Sequence, residues 1–245
     1  MIPPTRHFSL RAQHRLIPSR FSEQETVLAD IADDNSMLEK LILLDGATND
    51  RLQGELHGLA GIGPYELVYG IPHAQIVNAA FTHTHEYGSR FSDATRGAWY
   101  AADELDTSVA EVTYHKKRRL AEIVVPELPY QRPDREISTY DDWLADFDGE
   151  FHVLQPAKAF APCLQPEPVP ACYAKPQKLA RELLSEEQSN GIVYPSVRRK
   201  GHRCLLCFRP ALVYRPRRET RLEITFTATQ GGYRHRVRGL RVQSA

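Results

Sequence analysis

No apolar run in this 245-residue sequence approaches the roughly 20 residues that a membrane span needs. The opening Met-Ile-Pro-Pro-Thr-Arg has no apolar core of the kind a signal peptide carries. A cytoplasmic protein without membrane contact is therefore expected. Cysteine is scarce: Cys163, Cys172, Cys204 and Cys207 are the four present, and in a reducing compartment they should be thiols. The pair Cys204-x-x-Cys207 invites a zinc or redox reading, but there is no second C-x-x-C. The apolar run Cys-Leu-Leu-Cys-Phe reads as a strand, where an odd separation puts the two sulfurs on opposite faces. Small buried hydrophobes are the expectation. A Gly-rich dinucleotide turn is also missing, since Gly-Leu-Ala-Gly-Ile-Gly at 58–63 does not match G-x-G-x-x-G. There is no internal repeat, and no nucleophile–His–Asp arrangement stands out.

Net charge is zero but uneven. Residues 198–245 hold thirteen Lys or Arg against only Glu219 and Glu223, whereas residues 1–197 hold eighteen basic against twenty-nine acidic residues. The basic end could meet nucleic acid, an acidic partner or the acidic remainder of its own chain.

At 42% hydrophobic and 25% charged residues, the chain can bury a core of its own. Residues 1–13 read as a loose leader, Arg15–Ile17 as a first strand ended by Pro18, and 22–33 as loop or irregular helix. Helical stripes predict helices over Ser36–Leu44 and Thr48–Leu59. Ile76–Phe81 is apolar and short, so it fits a helix end or a strand. Leu120–Val125 reads as a strand stopped by Pro126. Residues 126–177 contain nine prolines and little periodicity, which predicts a long irregular loop with one short helix near Tyr140–Phe147. Lys178–Leu184 reads as a helix. Ile192–Tyr194, Cys204–Phe208, Ala211–Tyr214, Arg221–Thr229 and Tyr233–Val237 read as strands. Helices mixed with short strands, without regular βαβ alternation, indicate an α+β fold.

The central stretch carries the chemistry. In Gly88-Ser89-Arg90-Phe91-Ser92-Asp93, turn formers surround one arginine. Ala98–Ala102 is a short aromatic run suited to a buried strand. Asp106 or Thr107 can cap a following helix that carries Glu111. One arginine, one tyrosine and one carboxylate thus fall on three consecutive elements. His83-Thr84-His85-Glu86 could offer metal ligands, but no third ligand accompanies it. A polar loop at a cleft mouth is expected there, and no metal.

Arg90, Tyr100 ten residues on and Glu111 eleven further, within G-S-R-F-S…R-G-A-W-Y-A-A…E-V-T-Y-H, resemble the RES-domain family, which is named for an arginine, a glutamate and a serine. Gly191-Ile192-Val193-Tyr194-Pro195-Ser196-Val197-Arg198 is similar to its serine segment and Cys204–Pro210 to the strand that follows. His14–Arg20 is similar to its opening strand. The matches run in order from about residue 14 to about 213. They suggest one domain over 1–245, with a helical part at 22–60 and a basic extension at 214–245.

The resemblance implies an ADP-ribosyltransferase-like fold, with two small sheets facing across an NAD cleft. It also implies a toxin that degrades NAD+ at the nicotinamide–ribose bond by phosphorolysis or hydrolysis, with protein mono-ADP-ribosylation as the alternative. Positive charge builds on the sugar as that bond breaks, so a nearby carboxylate, Glu111, would stabilise it. Arg90 would grip the pyrophosphate or orient the ribose, Tyr100 would face the nicotinamide, and Ser196 would hydrogen-bond the ribose or carboxamide. Arg15 is a second phosphate ligand, with Arg20 an equal candidate. NAD+ is the substrate, inorganic phosphate is the candidate co-substrate, and no further cofactor is implied. The implied partner is an Xre-type helix-turn-helix antitoxin that blocks the active site. The rival from another class is a nucleic-acid-binding module built on the basic end, but no docking motif supports direct nucleic-acid binding.

Overall fold

The longest strand forms where the sequence looks least like one. In the computed structural model, which describes residues 1–22, 61–122, 133–156, 159–185 and 187–240, strand β3 spans Arg135–Val153. Over Arg135–Val153 the expected irregular loop, with its short helix near Tyr140–Phe147, is therefore replaced by a strand, whereas the stretch from Leu154 to Tyr173 carries only 3-10 turns among its described residues. Tyr140 to Phe147 are all buried, so the period-two alternation that marks a half-buried strand is absent. Three aspartates in this buried stretch are partnered by the neighbouring strands β1 (Thr5–Pro18) and β6 (Tyr214–Thr229). Asp141 accepts from Arg221 Nε at 2.6 Å and Nη2 at 3.0 Å. Asp142 Oδ2 lies 2.8 Å from His14 Nδ1. Asp146 accepts the Ala12 amide at 2.8 Å and Arg217 Nη1 at 3.3 Å. Burial pushes the Asp141 carboxyl up, yet hydrogen bonds from Arg221 and Ser22 outweigh it and hold the group below its ordinary value. Part of the basic C-terminal end thus meets the acidic part of its own chain.

The remaining strands are β2 (Trp99–Ala102), β4 (Gly191–Pro195), β5 (Arg203–Cys207) and β7 (Gly232–Leu240). All seven belong to one hydrogen-bonded sheet in the order β1-β2-β5-β4-β3-β6-β7, and β1 also pairs with β3. The first five strands therefore close on themselves, and β6 and β7 extend from β3. The fold is α+β, as expected, but its ladder is continuous rather than split into two sheets, because long β3 pairs with β1, β4 and β6. The presumed leader is mostly strand, as Thr5 to Leu10 pair with Phe147 to His152.

Three α-helices occur among the described residues: α1 (Ala74–Thr82), α2 (Leu105–Glu122) and α3 (Ala174–Ser185). The ambiguous Ile76–Phe81 is helix. The strand expected from Leu120 instead begins as the last turn of α2, where Leu120 packs on Leu222, Ile224 and Phe226 of β6. Residues 123–125 lie outside the described residues, as do the helices expected at Ser36–Leu44 and Thr48–Leu59. The strand expected at Ala211–Tyr214 is a single 3-10 turn, Pro210–Leu212, which leads into β6.

The closed strands carry two cores. Leu205 and Cys207 of β5 join Trp99, Phe147, Phe151 and α1 residues Val77 and Phe81 in one. Cys204 and Leu206 join Ile192, Tyr194 and α3 residues Leu179 and Leu183 in the other. The two sulfurs of Cys-x-x-Cys thus serve opposite cores, as their odd separation requires. Gly97 lets α1 approach closely, since a Cβ there would lie 2.3 Å from the Ala80 carbonyl oxygen.

Candidate active site

The turn before β2 is built by residues that hold one another. Gly88 has φ +68°, and a Cβ on it would sit 2.1 Å from the Ser92 carbonyl oxygen, so only glycine fits. From β2, the Tyr100 hydroxyl accepts the Phe91 amide at 2.9 Å and lies 3.1 Å from Ser92 Oγ. From α3, Gln177 Nε2 points at three carbonyls of the turn, those of Tyr87 and Ser89 at 2.9 Å and Ser92 at 3.3 Å. Arg90, buried at the centre, donates through Nη1 to the carbonyls of Cys163 at 3.2 Å and Gln165 at 2.7 Å. Its guanidinium lies 5.4 Å from the Tyr173 ring. One guanidinium nitrogen therefore pins the proline-rich segment, and the other two make no hydrogen bond with a described residue.

Glu111 projects from α2, which is held by its apolar contacts with β6. Ser196, just past β4, donates to Glu111 Oε1 at 2.9 Å. The same Oγ accepts the amides of Arg198 at 3.2 Å and Arg199 at 3.1 Å, which fixes its position. The Cys204 thiol approaches the same carboxylate oxygen at 4.0 Å. Burial pushes the Glu111 carboxyl above its ordinary value and outweighs the Ser196 hydrogen bond and the nearby Arg198 and Arg90 charges. A cation arriving beside Glu111 would favour its ionised form.

Arg15 and Tyr100 complete the group. Arg15 Nη1 donates to the Tyr100 carbonyl at 3.2 Å, and its guanidinium lies 4.9 Å from the Trp99 ring. Burial lowers its pKa to about 10, so it stays charged at neutral pH. Burial raises the Tyr100 phenol to about 12, so it stays neutral. Arg15, Arg90, Tyr100 and Glu111 all line one cavity of about 450 Å³, within the range of small-ligand sites. Ser196 reaches that cavity through Glu111. Arg20, the equal candidate to Arg15, is outside the lining and stacks 4.5 Å over Phe21. His85 reaches the lining, 3.2 Å from Arg119, whereas His83 sits beside Phe21. Among the described residues no group of three His, Cys, Asp or Glu could hold a metal ion.

The family profile of the RES domain matches residues 67–227, more than half of the chain. The chain belongs to the RES-domain family. RES domains are associated with toxin–antitoxin pairs and NAD-related chemistry. No curated protein matches the chain. Among the described residues no helix is long and apolar enough to cross a membrane.

Sequence reasoning missed several residues of the RES-domain cavity. His115, Arg118 and Arg119 line it from α2, and Tyr173 from the proline-rich segment. The helix residues were findable, since positions four, seven and eight beyond Glu111 share its face. Tyr173 was not, because a 3-10 turn inside a proline-rich loop carries no readable period.

Proposed function

We propose that this RES-domain protein cleaves the nicotinamide–ribose bond of NAD+, passing ADP-ribose to phosphate or water. One observation carries the reading: a desolvated carboxylate, Glu111, lies in a cavity whose charged lining is mostly basic, with Arg15, Arg90, Lys116, Arg118 and Arg119 against Glu111 and Glu122. NAD+ has the complementary pattern, an anionic diphosphate with a cationic nicotinamide ribose at one end. Ionised Glu111 would stabilise the oxocarbenium-like sugar as the bond lengthens. Tyr100 would offer its ring to the nicotinamide while its hydroxyl holds the Arg90 turn. Arg15 and the free nitrogens of Arg90 would meet phosphate oxygens. Ser196 would act on the sugar through Glu111, which it orients.

The acceptor is read from products. Purified protein is incubated with NAD+ with and without inorganic phosphate, and products are followed by mass spectrometry. ADP-ribose-1-phosphate or ADP-ribose supports the reading. A mass gain on a protein with no free product would move it to protein mono-ADP-ribosylation. Intact NAD+ in every arm, with folded protein, would overturn it. The partner that goes with this reading is an Xre-type helix-turn-helix antitoxin covering the cavity. Such a partner should protect NAD+ when added in equimolar amount.

A further inference from the structure

We infer that His115 takes the proton of an attacking water, and so sets how much NAD+ is hydrolysed rather than phosphorolysed. The inference rests on the NAD+-cleaving reading. His115 lies four residues beyond Glu111 on α2, which places both side chains on one helix face. Both line the same cavity. The His115 ring is open to that cavity, and its nitrogens make no hydrogen bond with a described residue. Tyr114 packs edge-on against it, with ring centroids 5.2 Å apart at 81°.

The groups around His115 keep it neutral. Partial desolvation on its cavity side lowers its pKa first, although the residue as a whole is exposed. The positive fields of Arg198 after β4, Arg118 on α2, Arg90 before β2 and His85 after α1 lower it further, to about 4. Near neutral pH the imidazole therefore keeps one nitrogen lone pair free, within a cavity that also attracts anions.

The two acceptors make different demands. As water attacks C1′ of the ribose, the new O–C1′ bond forms and the C1′–N1 bond breaks. The electron pair leaves with nicotinamide and neutralises its ring. The attacking oxygen then carries an extra proton and is strongly acidic, so even a weak base such as this histidine can remove that proton as the bond forms. Phosphate dianion brings an oxygen without a proton and needs no base. Loss of His115 should therefore act on one product and not in proportion on the other.

The test measures both products from the full chain with saturating NAD+ at fixed phosphate, comparing wild type, His115→Ala and His115→Gln. The expected result is a ratio of ADP-ribose-1-phosphate to ADP-ribose that rises about 100-fold in both variants, the ordinary size of a lost general base. Free imidazole should restore ADP-ribose formation in His115→Ala. An unchanged ratio, with both products falling together, would mean a structural role and overturn the inference. A wild-type protein that never forms ADP-ribose without phosphate would overturn it as well. Absence of nicotinamide release with either acceptor would overturn the underlying reading, and the inference with it.

Discussion

Replacing Ser196 with alanine should move the pH dependence of catalysis, not merely lower its rate. The Ser196 hydroxyl donates to Glu111 Oε1 at 2.9 Å and accepts two backbone amides at 3.1 and 3.2 Å. A hydrogen bond to a charged group contributes about 1.5–3 kcal/mol. Its loss should lower the ratio of ionised to protonated Glu111 by roughly 10- to 100-fold at a given pH. Burial already holds this carboxyl above its ordinary value, so the variant pushes it further in the same direction. Because cleavage needs the ionised form, the acid limb of kcat/KM for nicotinamide release should move to higher pH and recover on the alkaline side.

Stability should follow the same sign. A carboxyl whose folded pKa is raised contributes stability that is full below its unfolded pKa and is lost as pH rises through the folded one. Ser196→Ala enlarges that loss, so its deficit in urea unfolding should be greater at about pH 8 than at about pH 4. The two amides left without an acceptor should add about 1–3 kcal/mol at either pH. An acid limb that stays in place while activity falls evenly at every pH would refute this reasoning. Equal stability deficits at the two pH values would refute it too.

Gly88→Ala should destabilise the fold by about 1–3 kcal/mol and lower kcat/KM through displacement of Arg90, because φ is +68° and the new Cβ meets the Ser92 carbonyl. A denaturant melt and steady-state kinetics check both, and a variant of wild-type stability would contradict the turn geometry. A disulfide reagent at about pH 8 should modify Cys172 quickly and the other three thiols slowly. Burial pushes Cys207 up to about 12 and raises Cys163 and Cys204 as well. Peptide mapping locates the label, and rapid native labelling of Cys204 would contradict its burial beside Glu111. Phe226→Ala should cost about 3–5 kcal/mol in unfolding free energy, since Phe226 of β6 is fully buried in the core that β6 forms with α2. A loss below about 1 kcal/mol would contradict that packing.

The turn, strand and helix around Arg90, Tyr100 and Glu111 were legible because each is specified by its own short segment: turn formers, an aromatic run and a helical stretch, although the helix begins at Leu105, so Asp106 and Thr107 lie inside it rather than capping it. β5 was legible too, down to the opposite faces of Cys204 and Cys207. β3 was not. Asp141, Asp142 and Asp146 fit a buried strand only once Arg221, His14 and Arg217 are placed beside them, and those partners lie 71 to 128 residues away in sequence. The same distance effect hid Gln177, whose three carbonyl partners lie 85 to 90 residues earlier. Arg90 was recognised as a site residue, but its hold on the Cys163 and Gln165 carbonyls could not be read from either segment alone. The difference between Arg15 and Arg20 also needed the structure, because Arg15 on β1 lines the cavity whereas Arg20 lies in the 3-10 turn that follows β1 and does not.

The most direct test of the account is the rate of nicotinamide release from NAD+ by wild-type protein and by Glu111→Gln, both shown by circular dichroism and melting temperature to be folded. Glutamine keeps the shape and can still accept the Ser196 hydroxyl, but it carries no charge to place beside the ribose. The account predicts release by the wild type and a fall of about 100- to 1,000-fold in the variant, the scale of losing one electrostatic stabiliser of the transition state. Equal rates for the two proteins, or no release from the wild type, would contradict it.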